Sequence, residues 1–588
     1  MAIGGTVTLF AGKGIPIGIS SFNQIVERNF TFLDKTLLIA DFLECSSAVS
    51  VIVRPRRFGK TTNISMLKNF FSIPNDPDNI EYRHELFKNT KIIERSDLFR
   101  EHFCKYPIIY ISFKNYGDCE NWEKMCAQLY EELIRLYQEH GYVYHNLTNY
   151  DRKRFNDVIN KDEYTMKNLL KYTLYDLSRW LNNYHHCRCI VLIDEYDHPL
   201  DIAHRHGYYK EACSFFATIL GMLLKDNDEN LEKALLAGIS RVAKSGFLSG
   251  LNNVKVFPMH EEKYADKFGF TEDEVSLIIQ YHNLETHLKG VKQWYGGYEA
   301  GNCIHIYNPW SINSFVIKKV FGPYWINTGG TVIIKKLLWR SSEKVQDQVA
   351  ELLLKGAIKV NIMDDIDYEL LSSQFAYRAF WTLLYYAGYL TMDHNKVLQI
   401  PNKEVEMEWQ DWLQVKCPYT VNSLLDMLLQ GDLKNFKVYL PKIVMEILSC
   451  FDVADNQAEF GYHLFMIGLL SQAQFRGYRL MSNKEEGLGR FDLKIEPVGN
   501  NVEFETSIIM EFKVLKKEKK KNKGNVYESL QANSKEGSAQ ILEKKYRSGI
   551  PTRSTKLVEC GIAFQGKQAC VSSRVLHKEG NRVNKRVD

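Results

Sequence analysis

The feature that most constrains this chain is Val51-Ile-Val-Arg-Pro-Arg-Arg-Phe-Gly59-Lys60-Thr61-Thr62, a β-branched run that empties into Gly-Lys-Thr. It reads as a strand, a loop and the first turn of a helix. Backbone N–H groups at such a helix start point at an anion, a lysine can reach terminal phosphates, and a hydroxyl can hold Mg²⁺. The usual pattern opens with a glycine where this chain has Arg54, followed by Pro55. Read alone, the stretch fits a nucleotide site and an ordinary strand–turn–helix equally well.

A second stretch bears on that choice. Cys189-Ile-Val-Leu-Ile193 runs straight into Asp194-Glu195-Tyr196-Asp197. Apolar residues without alternation indicate a strand buried on both faces, and the acids fall at its carboxyl end, where α/β sheets place their ligands. In an NTPase reading Asp194 holds Mg²⁺ through water and Glu195 orients or polarises the attacking water. The bland alternative is a helix N-cap beside an exposed acid, and Gly59-Lys60-Thr61 upstream weakens it.

The intervening pattern supports the same architecture. Ile64, Leu67, Phe70 and Phe71 mark a helix after the loop, and Pro107 to Phe113 reads as a strand. Apolar positions from Trp122 to Leu136 recur at steps of three and four, and a similar helix is expected over Tyr164 to Asn183. Alternating strands and helices imply βαβ units and a parallel sheet. A further strand, Ala234 to Ile239, ends at Ser240-Arg241. There a serine can touch a terminal phosphate, and Arg241 or Lys244 can stabilise charge during transfer, although a serine after a strand is commonly a turn residue.

Composition narrows the class. The 588 residues exceed one core, and 45% hydrophobic with 25% charged residues excludes large-scale disorder. The twelve cysteines show no C-x-x-C and no zinc spacing, so free thiols in a reducing, cytoplasmic setting are expected. The first ten residues lack the pattern of a signal peptide, and no apolar run suggests a membrane span. Residues 511–588 carry 19 basic against 8 acidic side chains, a net of +11 that leaves −7 on residues 1–510. Such a surface is often simply solvated, and it also suits a phosphate-backbone partner.

The C-terminal region holds a second constellation. Gly489-Arg-Phe-Asp492 begins one strand, residues 496–501 make a turn, and Thr506 to Val514 returns as another. Glu511 and Lys513, two apart on a strand, project from one face, and a hairpin can bring Asp492 beside them. Two carboxylates so placed chelate a hard cation such as Mg²⁺, and the lysine can position water or neutralise a phosphate. The bare spacing also fits an ordinary charged strand face. Lys516-Lys-Glu-Lys-Lys-Lys-Asn-Lys523 follows, either a grip on nucleic-acid backbone or a solvated loop.

The residues carry two family resemblances. Pro16-Ile-Gly-Ile, Asp34-Lys-Thr36, the Arg54 to Thr61 loop, Leu192-Ile-Asp-Glu-Tyr-Asp197, Gly238-Ile-Ser-Arg241 and Ser249-Gly-Leu-Asn-Asn253 resemble the predicted AAA-ATPase-like domain. The likeness continues through Phe268-Gly-Phe-Thr, Trp294-Tyr-Gly-Gly-Tyr298, Tyr307-Asn-Pro-Trp-Ser311 and Tyr324-Trp-Ile-Asn-Thr-Gly-Gly330. That family spells its loop with arginine in the glycine position. By position, the resemblance implies ATP with Lys60 on its β- and γ-phosphates, Mg²⁺ at Thr61 and Asp194, and Asp194 with the catalytic Glu195 as the acidic site; Arg57, Gly59, Thr62, Ser240 and Arg241 complete the expected cofactor-binding set. Tyr462-His463, Gly487-Leu-Gly-Arg-Phe-Asp492, Ile509-Met-Glu-Phe-Lys513, Gln540-Ile, Lys545-Tyr546 and Gly561-Ile-Ala-Phe resemble the PD-(D/E)XK nuclease domain. That resemblance implies Asp492 and Glu511 as metal ligands, Lys513 as the catalytic lysine, Glu459 as an additional acid and Gln540 as an auxiliary polar residue.

The expected molecule is α/β: a P-loop NTPase-type parallel sheet at 14–330, a helical lid or connector at 331–430, a restriction-endonuclease-like domain at 431–575 and a basic tail at 576–588. Its expected activity is ATP binding and hydrolysis with a fused Mg²⁺-dependent nuclease acting on DNA, possible as a homo-oligomer and without a membrane. The alternative is a nucleotide-operated switch or scaffold whose C-terminal domain binds without cutting.

Overall fold

The computed structural model describes the chain except residues 1, 4–6, 75–78, 161–169, 240–252, 303, 327–344, 346–347, 350, 354–355, 364–375, 413–417, 448–457, 499–501, 516–525, 580–581 and 586–588. It forms two compact units, Met1–Gly329 with Lys359–Val405, and Gly330–Ile358 with Glu406–Asp588. The stretch 331–430, read as one connector, is therefore divided between them. Its described part includes the helices Ala376–Ala387 and Pro418–Gln430 and a short hairpin, Thr391–Met392 with Leu398–Gln399. Helical spacing in the first of those helices implies a core face of Tyr377, Phe380, Trp381, Leu384 and Tyr385; the last four are buried and Tyr377 is half-buried.

The first unit is built on strands β1 (Val49–Val53), β2 (Ile108–Ser112), β3 (Cys189–Asp194), β4 (Leu231–Gly238) and β5 (Val254–Phe257). Their order is β2-β3-β4-β1-β5, and every neighbouring pair is parallel. Parallel neighbours need long crossovers, and here helices supply them. Every residue of β1 and β3 is buried, which is why their sequences run apolar without alternation.

Helix α1 (Lys60–Phe71) continues from the Gly-Lys-Thr turn and buries Ile64, Leu67, Phe70 and Phe71. In α2 (Trp122–Glu139) the Asn121 side chain caps the start by accepting from Lys124 N–H at 2.9 Å. Helix α3 (Thr173–His185) covers the later part of the helix expected over 164–183 and follows a 3-10 turn at Leu170–Tyr172; the segment 161–169 lies outside the described residues. A second apolar cluster joins the helices Glu272–Tyr281, Leu288–Tyr295 and Pro309–Lys318. The first of these opens with a reciprocal cap between Thr271 and Glu274.

The second unit holds a six-stranded sheet in chain order: β6 (Tyr478–Glu486), β7 (Gly489–Pro497), β8 (Thr506–Val514), β9 (Lys556–Gln565), β10 (Gln568–Glu579) and β11 (Arg582–Lys585). Only the β8–β9 pair is parallel, and α5 (Val526–Glu543) is its crossover. Helix α4 (Ala458–Leu470), apolar nearly all round, is buried from Tyr462 to Leu470. Gly561 on β9 lets α5 lie close, since a Cβ there would run into the Ser534 carbonyl and the Ser538 amide.

Candidate functional site

In the first unit the backbone leaves β1 with Arg54 N–H still bonded to the Gly238 carbonyl of β4, at 3.1 Å. The Arg54 side chain is not aimed at a ligand. It is fully buried, and its guanidinium donates to the carbonyls of Val53 (2.8 Å), Phe257 (2.9 Å) and Tyr264 (3.0 Å) while lying over the Phe268 ring. The residue in the glycine position therefore ties the start of the loop to β5 and to the segment after it. Burial lowers the Arg54 pKa to about 10.

Beyond it, Gly59 takes a left-handed φ of 81°, and a Cβ there would meet nothing within 4 Å, so the loop opens on unfilled space at the helix start. Lys60 is buried and donates to the Arg54 (2.9 Å) and Pro55 (2.8 Å) carbonyls. Burial lowers its pKa to about 8, against the pull of Asp194, Asp197 and Glu195. Thr61 Oγ1 donates to Asp194 Oδ2 at 2.7 Å. Asp194 is fully buried, and burial raises its pKa despite that bond. The structure thus brings Lys60, Thr61 and Asp194 together although β4 separates their strands.

Glu195 follows in the left-handed region at φ 53°, partly exposed, and Thr62 is likewise partly exposed. Asp197, not singled out from sequence, accepts from Ile239 N–H at 3.0 Å; Gly238 is required there, since a Cβ would strike Asp197 and Tyr196. Ser240, Arg241 and Lys244 lie outside the described residues. A buried ammonium answered by loop carbonyls, an open glycine turn and a Thr–Asp pair form a donor set that fits a nucleoside triphosphate with Mg²⁺.

Segments far along the chain brace this loop. The Phe58 carbonyl accepts from Gly269 N–H at 3.0 Å, and the Phe58 ring meets Tyr298 edge-on. The Arg56 carbonyl accepts from Asn308 Nδ2 (3.2 Å) and Trp325 Nε1 (3.0 Å). Glu404 in turn accepts from Ser311 Oγ (2.7 Å) and Trp325 N–H (2.5 Å), and burial raises its pKa to about 7.

In the second unit, β7 and β8 are antiparallel with Leu493 opposite Met510, so Asp492 comes level with Glu511. Asp492 Oδ2 accepts from Phe512 N–H at 2.6 Å. Gln540 on α5 links the other two residues: its Nε2 donates to Glu511 Oε1, and its Oε1 accepts from Lys513 Nζ at 2.5 Å. Lys513 Nζ stands 4.0 Å from Glu511 Oε1. Burial first, and mutual repulsion after it, push Glu511 up to about 8; burial also pushes Asp492 up to about 6. Glu511 Oε2 is buried with no hydrogen-bond partner. A half-buried and a buried carboxylate side by side, the buried one with an oxygen left over, fit a hard divalent cation.

Glu459 is exposed in the first turn of α4 and acts on both carboxylates through its charge. Among the described residues no three His, Cys, Asp or Glu side chains come together as a metal-binding group. Tyr546, whose hydroxyl donates to the Arg490 carbonyl at 2.7 Å and accepts from Gln540 at 3.5 Å, closes the side of the site. His463 is buried against Ser482 and Phe512, and burial drops its pKa to about 4, which keeps it neutral. The basic stretch 516–523 lies outside the described residues.

The first unit carries a strand–loop–helix turn on a parallel sheet, and the second a carboxylate pair with a lysine on a mixed sheet. Residues 16–248 match the family model described as Predicted AAA-ATPase, and residues 457–574 match that of the PD-(D/E)XK nuclease superfamily; the chain is a fusion of these two domains. It is also 27% identical, over 441 residues, to the "Uncharacterized protein in vnfD 5'region" of Azotobacter chroococcum mcd 1, a match covering 71% of this chain and 75% of that protein.

Proposed function

We propose that the protein binds and hydrolyses ATP in the first unit and uses the second as a Mg²⁺-dependent phosphodiesterase on nucleic acid, with DNA as the substrate. The observation that carries this reading is the Asp492–Glu511–Lys513 group, whose three members are brought together by one register and one glutamine.

A divalent cation held by Asp492 and Glu511 would supply a water of lowered pKa and offset charge on the scissile phosphate. Gln540 fixes the Glu511 carboxylate and the Lys513 ammonium at once, so neither swings away from the other. The Lys513 amino group lies beside the carboxylates, suited to hold a phosphate oxygen or an attacking water. In the first unit Lys60 and the loop amides would bind the β- and γ-phosphates, Thr61 and Asp194 would hold Mg²⁺, and Glu195 would orient water. Ser240 and Arg241 remain candidates for the terminal phosphate.

The net charge of +11 on residues 511–588 favours a polyanionic partner. The nine described cysteines are free, which suits a cytoplasmic setting, and no described helix is long and apolar enough to cross a membrane. Cleavage of DNA and RNA substrates by the full chain, with and without ATP and Mg²⁺, tests the proposal; absence of any metal-dependent cleavage would reject the nuclease half.

A further inference from the structure

Arg57 sits two residues before Gly59 with φ 66°, a left-handed conformation that a branched or long side chain adopts only when its surroundings impose it. Its side chain is exposed, and among the described residues no carboxylate pairs with it. Its guanidinium instead lies 4.4 Å from the centroid of the Trp310 ring. The distinction matters chemically. A carboxylate would neutralise the cation and occupy its N–H donors, whereas a π face holds the cation by its flat side and leaves the N–H edge free for a phosphate.

Trp310 is itself fixed in place. Its indole N–H donates to the Tyr324 carbonyl at 3.1 Å, and its backbone N–H donates to Asn308 Oδ1 at 2.9 Å. Asn308 and Trp325, from the same stretch of chain, hold the carbonyl of Arg56, the residue next to Arg57. One segment thus sets both the backbone that gives Arg57 its left-handed turn and the ring that carries its side chain. This segment, residues 308–325, lies beyond the 16–248 stretch that matches the ATPase family model.

We infer that Trp310 is a positioning residue that holds Arg57 at the phosphate loop as an unneutralised cation for the terminal phosphates of the nucleotide. The inference rests on the ATP reading proposed above. It requires the benefit of Arg57 to grow with the number of phosphates, and the benefit of Trp310 to pass through Arg57.

The test is a set of binding titrations on the full chain with Mg²⁺ and ATP, ADP or AMP. Arg57→Ala, a change at an exposed side chain, is expected to weaken ATP by about tenfold or more and AMP hardly at all, as loss of a charge-assisted phosphate contact does. Trp310→Leu is expected to weaken ATP by roughly threefold to tenfold in the wild-type background and to have no further effect when Arg57 is already Ala. Equal losses for ATP and AMP, or additive losses in the double variant, would overturn the inference by showing Trp310 to act only through the fold. If Trp310→Leu does not fold, the Arg57→Ala series decides alone, and unchanged ATP affinity there overturns it. Wild type that fails to bind ATP removes the ATP reading itself, whereas wild type that binds ATP and loses it in Lys60→Ala, with Arg57→Ala unimpaired, removes only this inference.

Discussion

Thr61 and Asp194, 133 positions apart in the chain, are joined by a 2.7 Å hydrogen bond from the threonine hydroxyl to Asp194 Oδ2. The bond spans the top of β4 and brings together the two groups a Mg²⁺–nucleotide would share. Thr61→Val keeps the shape, removes the hydroxyl and leaves a buried carboxylate oxygen without its donor. Mg²⁺-dependent ATP affinity should fall by roughly tenfold to a hundredfold, the range for a lost hydrogen bond to a charged group. Isothermal titration with and without Mg²⁺ reads this, and an unchanged affinity would remove Thr61 from the site.

Arg54 offers a stability prediction. Its guanidinium serves three carbonyls in a fully buried setting. Arg54→Ala strips all three acceptors and leaves a cavity, so a loss of about 3 kcal/mol or more in unfolding free energy is expected. Arg54→Gly, which restores the usual loop spelling, should not recover it. Denaturant titration of the full chain checks both.

What the sequence made legible follows from where side chains must go. Strands β1 and β3 announce themselves because burial on both faces forces continuous apolar runs. Asp492, Glu511 and Lys513 are readable because a strand has a period of two and a hairpin has a register. Strand β6 is not, since its second half, Asn483-Lys-Glu-Glu486, is a charged sheet edge with no apolar period. For Arg54 the sequence shows only a missing glycine. Its partners Phe257 and Tyr264 stand 203 and 210 positions away, and no local pattern reports them. Trp310 and the bridging geometry of Gln540 are hidden for the same reason.

The raised carboxylates predict a pH effect with a definite sign. Glu511 in the folded chain keeps its proton up to about 8, whereas an unfolded glutamate loses it near 4.5. Between those values the folded state binds more protons, so its stability falls as pH rises. Without divalent metal, Glu511→Gln should melt above wild type at pH 8, with the gap closing toward pH 5. Mg²⁺ should raise the melting temperature of wild type and not of the variant. Differential scanning calorimetry in EDTA and in Mg²⁺ tests this; a variant that melts lower at pH 8 would contradict it.

The approach of α5 to the sheet depends on Gly561. A methyl group there would press on the Ser534 carbonyl and Ser538 amide and lift the helix that carries Gln540. Gly561→Ala should cost about 1–3 kcal/mol of stability, the usual range for overpacking. Nuclease activity should fall even at temperatures where the variant stays folded, because Gln540 no longer holds Glu511 and Lys513. A folded variant with full activity would show that the bridge is dispensable.

The central claim is that Asp492, Glu511 and Lys513 form a metal-dependent phosphodiesterase site, and single-turnover cleavage of DNA in Mg²⁺ tests it most directly. Wild type should cleave and lose activity in EDTA, while Asp492→Ala and Lys513→Ala, each shown to be folded, should each lose at least about a hundredfold. Cleavage undiminished in either variant would contradict the account.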